Sequence, residues 1–326
     1  MNTGRFLAAW GRILSGTAPM LSIEITRECP LHCPGCYAYD DHHLGGGVRL
    51  RELHDLHGDA LVERLLALVE QYRPVHLSIV GGEPLVRHRE LGQVLPVLSS
   101  QKIETLIVTS GVIPIPSAWT DLPHIRVAVS VDGLAEDHDV RRFPATYERI
   151  LKNIHGCRVD ISWVVTAPQM EKPGYLDRYL SFWTGRCEVD RIWPSIYTPQ
   201  VGEHSREMLT QHQREALVAQ FPALKNRYPA LLMTDGIAEA FLSPPRNPRQ
   251  CVFARVSVNY SADLQTQVQP CFLGGEPDCQ QCGCAVTAGL HWIGRKRVLG
   301  SIRASHIMET SIAIGALARS ATRGRL

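Results

Sequence analysis

Short β-branched, apolar runs alternate with segments of helical period along the first two thirds of the chain. The runs are LSIEIT (21–26), VHLSIV (75–80), TLIVTS (105–110), RVAVSV (126–131), VDISWVV (159–165) and DRIWPSIY (190–197). Between the first two lies DALVERLLALVEQY, in which Leu61, Leu65, Leu68 and Val69 recur on one helical face. ATYERILKNI and GYLDRYLSFW follow the same pattern. Six strands, each followed by a helix, predict parallel β/α units. Such units connect right-handedly and wind into a doubly wound sheet or a barrel. We expect an α/β fold, a partial (β/α)6 TIM barrel. In these folds ligands bind where loops leave the C-terminal ends of the strands. CPLHCPGCY follows the first run directly, GGEPL (81–85) the second, SG the third, DG the fourth and TAPQ the fifth. The chemically suggestive residues therefore fall on one rim.

Beyond residue 240 the pattern changes. LSPPRNPRQ has the composition of a linker, and the segment after it holds Cys251, Cys271, Cys279, Cys282 and Cys284. VSVNY and QTQVQPC suggest hairpin arms around the turn SAD, which would bring Cys251 and Cys271 together. A cysteine-dense module with few apolar residues needs a metal to fold. The expected organisation is an N-terminal extension (1–20), a barrel (21–240), a small C-terminal cysteine-rich module (241–304) and a tail (305–326) that frays or covers the barrel.

Length and charge narrow the chemistry. The 326 residues carry a net charge of +2 from 34 basic and 32 acidic side chains, interspersed, so no nucleic-acid footprint is present. MNTGRFLAAWGRILSG is interrupted by Arg5, Gly11 and Arg12 and lacks the apolar core of a signal peptide or membrane span. The expected location is the cytoplasm, with the short amphipathic segment FLAAWGRIL packed on its own domain rather than on a membrane. In a reducing compartment ten cysteines point to metal or redox chemistry rather than disulfides.

Cys29, Cys33 and Cys36 are spaced by three residues and then two, with no fourth thiol nearby. Soft thiolates select zinc, copper(I) or iron-sulfur clusters. A structural zinc needs four closed ligands, and the other candidates, His42 and His43, fit the spacing poorly. A cubane on three thiolates keeps one iron open for a substrate or cofactor.

CPLHCPGCY with its trailing aromatic, together with GGEPL after the next strand, resembles the radical S-adenosylmethionine (SAM) enzymes. The resemblance implies that Cys29, Cys33 and Cys36 hold a 4Fe-4S cluster whose open iron chelates SAM. Tyr37 would pack beside the cluster and adenine, Gly81 and Gly82 would let the backbone approach SAM, and Glu83 would accept from its ammonium. Ser130 and Arg142, or less favourably Arg141, would contact SAM in the way of the family pattern after the fourth strand. The bland reading of Glu83 is a helix-start residue. His138 and Asp139 read as braces of a helix start, and Cys157 and Cys187 as core packing.

The C-terminal cysteines resemble the family's auxiliary-cluster extensions, the SPASM and twitch types, and the resemblance implies one second 4Fe-4S cluster. Its preferred ligands are Cys251, Cys271, Cys279 and Cys282, with Cys284 as a possible replacement; structural zinc is the alternative. The implied activity is reductive SAM cleavage to a 5′-deoxyadenosyl radical, followed by hydrogen abstraction from, or adenosylation of, a small-molecule or peptide substrate. Flavodoxin or ferredoxin would supply electrons. Peptide maturation is the second enzyme reading, against which the lack of a visible leader-binding domain weighs. A non-catalytic iron-sulfur or zinc protein is the reading from another class, and GGEP argues against it. Trp193, Ser195 and Tyr197, by alternation, would supply cavity-facing residues.

Overall fold

A computed structural model describes residues 3–45, 47–144 and 146–323. Each of the six apolar runs forms a strand: β1 (Met20–Glu24), β2 (His76–Val80), β3 (Glu104–Thr109), β4 (Ile125–Ser130), β5 (Val159–Val165) and β6 (Val189–Ile196). A seventh, β7 (Ser257–Tyr260), joins them, and the order β6-β5-β4-β3-β2-β1-β7 is parallel throughout. Every strand from β1 to β6 lies beside its predecessor, the progression of a barrel rather than of a doubly wound sheet. Among the described residues β6 and β7 do not pair, so the barrel is open on that side.

Helices cover the outside. Leu61, Leu65, Leu68 and Val69 of the helix Gly58–Tyr72 are buried in the main core with Leu77 and Ile79 of β2. The helices expected over ATYERILKNI and GYLDRYLSFW occupy Tyr147–Asn153 and Tyr175–Thr184; Ala145 lies outside the described residues. Closed barrels of this type fill their lumen with branched apolar residues. Here Ser22, Ser78, Ala128 and Ser162 line it beside the branched Val80, Leu106, Val108 and Val164, and the small side chains leave it open.

The expected hairpin after Cys251 is present only in short form. Tyr260 bridges Gln267, and Val268 N donates to Asn259 O at 2.9 Å. Its first arm does not stay within the C-terminal segment but becomes β7 on the outer edge of β1. An unpaired parallel edge would leave a row of backbone donors and acceptors without partners, and VSVNY satisfies them.

The helix Ala285–Arg295 contacts both β6 and the helix Val252–Val256 that leads into β7, and so crosses the open side. Its start is sewn to β6: Ile196 N donates to Gly283 O at 2.8 Å, and Ala285 N to Ser195 Oγ at 3.3 Å. A Cβ on Gly283 would stand 2.1 Å from Ile196 O, so only glycine allows this approach. At the other end of the strands, the first helix (Thr3–Leu14) pairs Arg5 with Glu104 at the start of β3, at 2.5 Å. It also packs on the C-terminal helix (Ala304–Arg323), where a Cβ on Gly16 would meet Gly315 O at 2.2 Å. The tail thus forms a helix on the barrel's lower end rather than fraying over 305–323; residues 324–326 lie outside the described residues.

Because β7 is the partner of the strand that launches the cysteine loop, a chain ended after residue 250 should expose β1 as a bare edge. We expect this truncation to aggregate on size-exclusion chromatography; a monodisperse, cooperatively melting product would contradict the role assigned to β7.

Candidate active site

The cysteine loop leaves β1 already paired with the turn that follows β2. Ile25 N donates to Val80 O at 2.9 Å, Gly82 N to Thr26 O at 2.7 Å and Glu83 N to Glu28 O at 2.8 Å. This contact dictates both glycines. A Cβ on Gly81, whose φ is +132°, would lie 2.6 Å from Thr26 O, and one on Gly82 would lie 2.2 Å from Glu28 O. These glycines admit the cysteine loop.

Glu83 is held by the turn it begins. Its carboxylate is fully buried and accepts from Leu85 N at 2.9 Å, Thr109 Oγ1 at 2.6 Å, Ser110 N at 2.8 Å and Ser110 Oγ. Four donors use the acceptor capacity of a carboxylate, so none is left for an ammonium. Glu83 is the helix-start residue of the bland reading, and it also clamps the ends of β2 and β3.

A second acidic clamp escaped sequence reasoning. Asp55 accepts from Thr26 Oγ1 at 2.5 Å and from Arg27 N at 3.1 Å, while buried Arg87 bridges it, at 3.1 Å, to Glu28. Glu28, Asp55 and His57 offer donor atoms within 4.8 Å of one another, but the Arg87 guanidinium already supplies the positive charge there.

Ser130 ends β4 and lines the cavity. Asp132, two residues on, is buried and organises both arginines. Arg141 Nη1 donates to its Oδ2, and Arg142 Nε to the same atom at 2.7 Å, while its Oδ1 accepts from Val164 N at 3.1 Å. Burial would raise this carboxyl's pKa, but the two guanidiniums hold it far below the usual carboxylate range. Arg141 is further engaged by Glu207 at 2.8 Å and by the Tyr197 ring. Arg142 bonds through Nε, and among the described residues its terminal Nη groups have no partner. Its charge opposes the burial that raises the pKa of Cys33. His138 accepts from Asp132 N at 3.2 Å and meets Thr146 Oγ1 at 2.7 Å, and Asp139 accepts from Thr146 N at 2.6 Å. Both are braces, as expected; burial lowers the His138 pKa to about 4. An acidic residue directly after a strand end, with paired arginines nine and ten residues later, was the signal for Asp132.

Tyr37 is sandwiched by His43 and Phe272, with centroids at 5.7 and 6.0 Å. His43 is not a metal candidate in this fold, because Nε2 meets Glu24 Oε1 at 2.6 Å and Nδ1 meets Leu273 O at 3.0 Å. Both ring nitrogens face acceptors, which favours the doubly protonated ring. Burial alone would lower its pKa, but the Glu24 carboxylate, the Leu273 carbonyl and Asp40 outweigh burial and raise it. Glu24 also accepts from Ser261 Oγ at 2.7 Å. His42 is exposed.

The five C-terminal cysteines converge. Cys251 and Cys284 begin the helices Val252–Val256 and Ala285–Arg295, and Cys279 and Cys282 flank one helical turn. Buried Arg214 donates to Gln281 O at 2.8 Å and Cys282 O at 3.1 Å and holds the C-x2-C turn. Burial pushes the Cys271 thiol up to about 12, and Cys284, Cys251 and Cys279 add to the rise, so these thiols lie close enough to disfavour one another's charge. Among the described residues no three cysteine sulfurs lie within 4.8 Å of one another. Ligands of one ion, each at about 2.3 Å, cannot stand farther apart than about twice that. Cys157 is core, as expected; Cys187 is exposed in the turn before β6, contrary to expectation.

One cavity of about 2190 Å³ opens at this rim and runs through the lumen. Cys29, Cys33, Cys36, Tyr37, Ser130 and Arg142 line its upper end, and Trp193, Ser195, Tyr197 and Cys284 also reach it.

An open parallel barrel with a three-cysteine loop after β1 and a glycine-glycine-glutamate turn after β2 defines a class, the radical SAM enzymes. Residues 23–161 match the family model described as the radical SAM superfamily. The fold is similar to that of Streptococcus suis SuiB bound to S-adenosylmethionine, with 15% identity and a TM-score of 0.54 over 79% of this chain. It is similar also to SuiB bound to precursor peptide SuiA, with 15% identity and a TM-score of 0.59 over 91%. The chain spans 60% and 71% of those two chains. No curated protein matches it. Among the described residues no helix is long and apolar enough to cross a membrane.

Glu83→Gln turns an amide NH2 toward at least one of the four buried donors. We expect a loss of about 1–3 kcal/mol in denaturant unfolding, whereas a carboxylate needed only for an ammonium would leave stability unchanged. For the His43 tether the sign follows from the raised pKa: its contribution is complete below the ordinary value of about 6.5 and is lost as pH rises through the raised one. The stability gap between wild type and His43→Gln should accordingly be widest below about pH 6.5 and narrow in alkaline buffer. A gap that widens with pH would show that the ring is neutral in the fold.

Proposed function

We propose that the chain binds a 4Fe-4S cluster through Cys29, Cys33 and Cys36, binds SAM beside it, and directs radical chemistry at a substrate in the lumen. The observation that carries this reading is the convergence of three thiols, Ser130 and Arg142 on the upper end of one cavity. When bound, the cluster supplies the electron that cleaves SAM to a 5′-deoxyadenosyl radical, which abstracts hydrogen from the substrate or adds to it. Arg142, oriented by Asp132, offers its terminal nitrogens to the carboxylate of SAM. Ser130 offers a hydroxyl at the strand end, and Tyr37 a flat wall beside the loop. Gly81, Gly82 and Glu83 act through the loop they hold in place.

Cys251, Cys271, Cys279 and Cys282 are the proposed ligands of a second 4Fe-4S cluster, with Cys284 as the fifth thiol. Flavodoxin or ferredoxin would deliver electrons. A peptide substrate is the second reading; the shared fold of SuiB, which binds precursor peptide SuiA, favours it.

Anaerobic reconstitution with iron and sulfide, followed by SAM and dithionite, should release 5′-deoxyadenosine, and Cys33→Ala or Cys36→Ala should abolish release. The protein should carry about eight irons, and the Cys29, Cys33 and Cys36 triple alanine variant about four. Release by Cys33→Ala at the wild-type rate would refute the assignment. One zinc and no iron in the triple variant would refute the second cluster, and loss of that cluster on Cys284→Ala alone would refute the ligand set.

A further inference from the structure

The cavity is larger than one cofactor and a small substrate need: its volume of about 2190 Å³ is roughly twice the ~1,000 Å³ upper range of small-molecule sites. Its two ends differ in chemistry. The upper end carries the thiols and Arg142. The lower end is walled by Phe6, Ala9 and Trp10 of the first helix, Leu290 and Ile293 of the crossing helix, and Met308 of the C-terminal helix. Phe6 and Ile293 line the cavity and yet remain 40% and 42% exposed, so apolar surface faces into it. Of the charged groups at the strand starts, Glu104 is paired with Arg5 and His124, and Arg126 with Asp160, while Arg191 at the start of β6 also lines the cavity.

Such a wall discriminates between substrate classes. A peptide brings a donor and an acceptor at every residue, and leaving them unpaired against Phe6, Leu290, Ile293 and Met308 would cost free energy at each. A hydrocarbon loses nothing there and gains about 25 cal/mol for each Å² removed from water. The outer faces of the same helices point the same way. Leu7 is 64% and Leu317 71% exposed, with Leu14 and Ile314 also on the surface, so apolar side chains flank the lower end outside as well as inside.

We propose that the substrate is a lipid whose long uncharged hydrocarbon portion lies among the first, crossing and C-terminal helices, with its reacting carbon directed up the lumen to the cysteine rim. The assignment rests on the radical SAM reading of that rim.

The test uses 1,6-diphenylhexatriene, an uncharged rod that fluoresces strongly in hydrocarbon surroundings, with the reconstituted protein. Saturable binding is expected, displaced by hexadecanol and weakened at least tenfold by Ile293→Asp or Leu290→Asp, but preserved in Ile293→Leu. Should an aspartate variant melt early, Ala9→Trp, which narrows the same space with an apolar group, must give the same loss. Absence of saturable binding, or equal affinity in the folded aspartate variants, overturns the proposal. 5′-Deoxyadenosine release is measured separately on the wild type. Release without probe binding overturns the lipid assignment alone, and probe binding without release overturns the radical reading of the rim.

Discussion

Two backbone hydrogen bonds beyond the end of the sheet, from Gly82 N to Thr26 O and from Glu83 N to Glu28 O, set the position of everything at the rim. They continue the β1–β2 ladder into what would otherwise be a free loop, so the residues leading to Cys29 leave the barrel in a single direction. The approach is close enough to exclude any side chain at 81 or 82. Glu83 then locks the turn to the end of β3 through Thr109 and Ser110. The motif after the second strand is therefore structural here before it is chemical. A buried carboxylate accepting four hydrogen bonds is held by the whole network and holds it in return.

The same strand couples the two cysteine sets. Glu24 is the last residue of β1, and its carboxylate joins His43 from the cysteine loop to Ser261 of the β7 hairpin, while the other ring nitrogen of His43 reaches Leu273, two residues from Cys271. A buried ion pair of this kind adds little stability over an apolar replacement, but losing one partner costs several kcal/mol, which makes it a register device. With β7 on the edge of β1 and the crossing helix sewn to β6, the C-terminal cysteines are built into the barrel's open side.

Much of this was legible in the sequence. Strands with a β-branched period and helices with apolar i, i+4 spacing are local signals, and all six runs formed strands. The cysteine spacing named the rim. What escaped was long-range pairing. Nothing local shows that VSVNY, besides its short hairpin, pairs with an edge 237 residues earlier (Met20 with Ser257), because a four-residue strand has the same pattern in either setting. The clamp made by Glu83 was not visible because its partners, Thr109 and Ser110, come from another strand end. Asp132, Asp55 and Arg214 are single polar residues whose burial depends on neighbours distant in the chain, and no period marks them. Cys187 looked like core material from its residue type alone, and only its place in a turn exposes it.

The lumen gives these elements a common direction. Three thiols and two arginines meet at its rim, and the helices at its lower end add Phe6, Ala9, Trp10, Leu290, Ile293 and Met308 beside the Arg5–Glu104 pair. A molecule entering such a gradient is oriented without any contact specific to its reacting atom. Polar parts are stabilised at the rim, hydrocarbon at the lower end, and the reverse placement strands both. Ser22, Ser78, Ala128 and Ser162 make the gradient continuous, since a single leucine-filled layer at that level would divide the space in two. The open side of the barrel supports the same end. A closed eight-stranded wall leaves room only for side chains, whereas an opening spanned by one helix admits the additional volume that a long substrate requires.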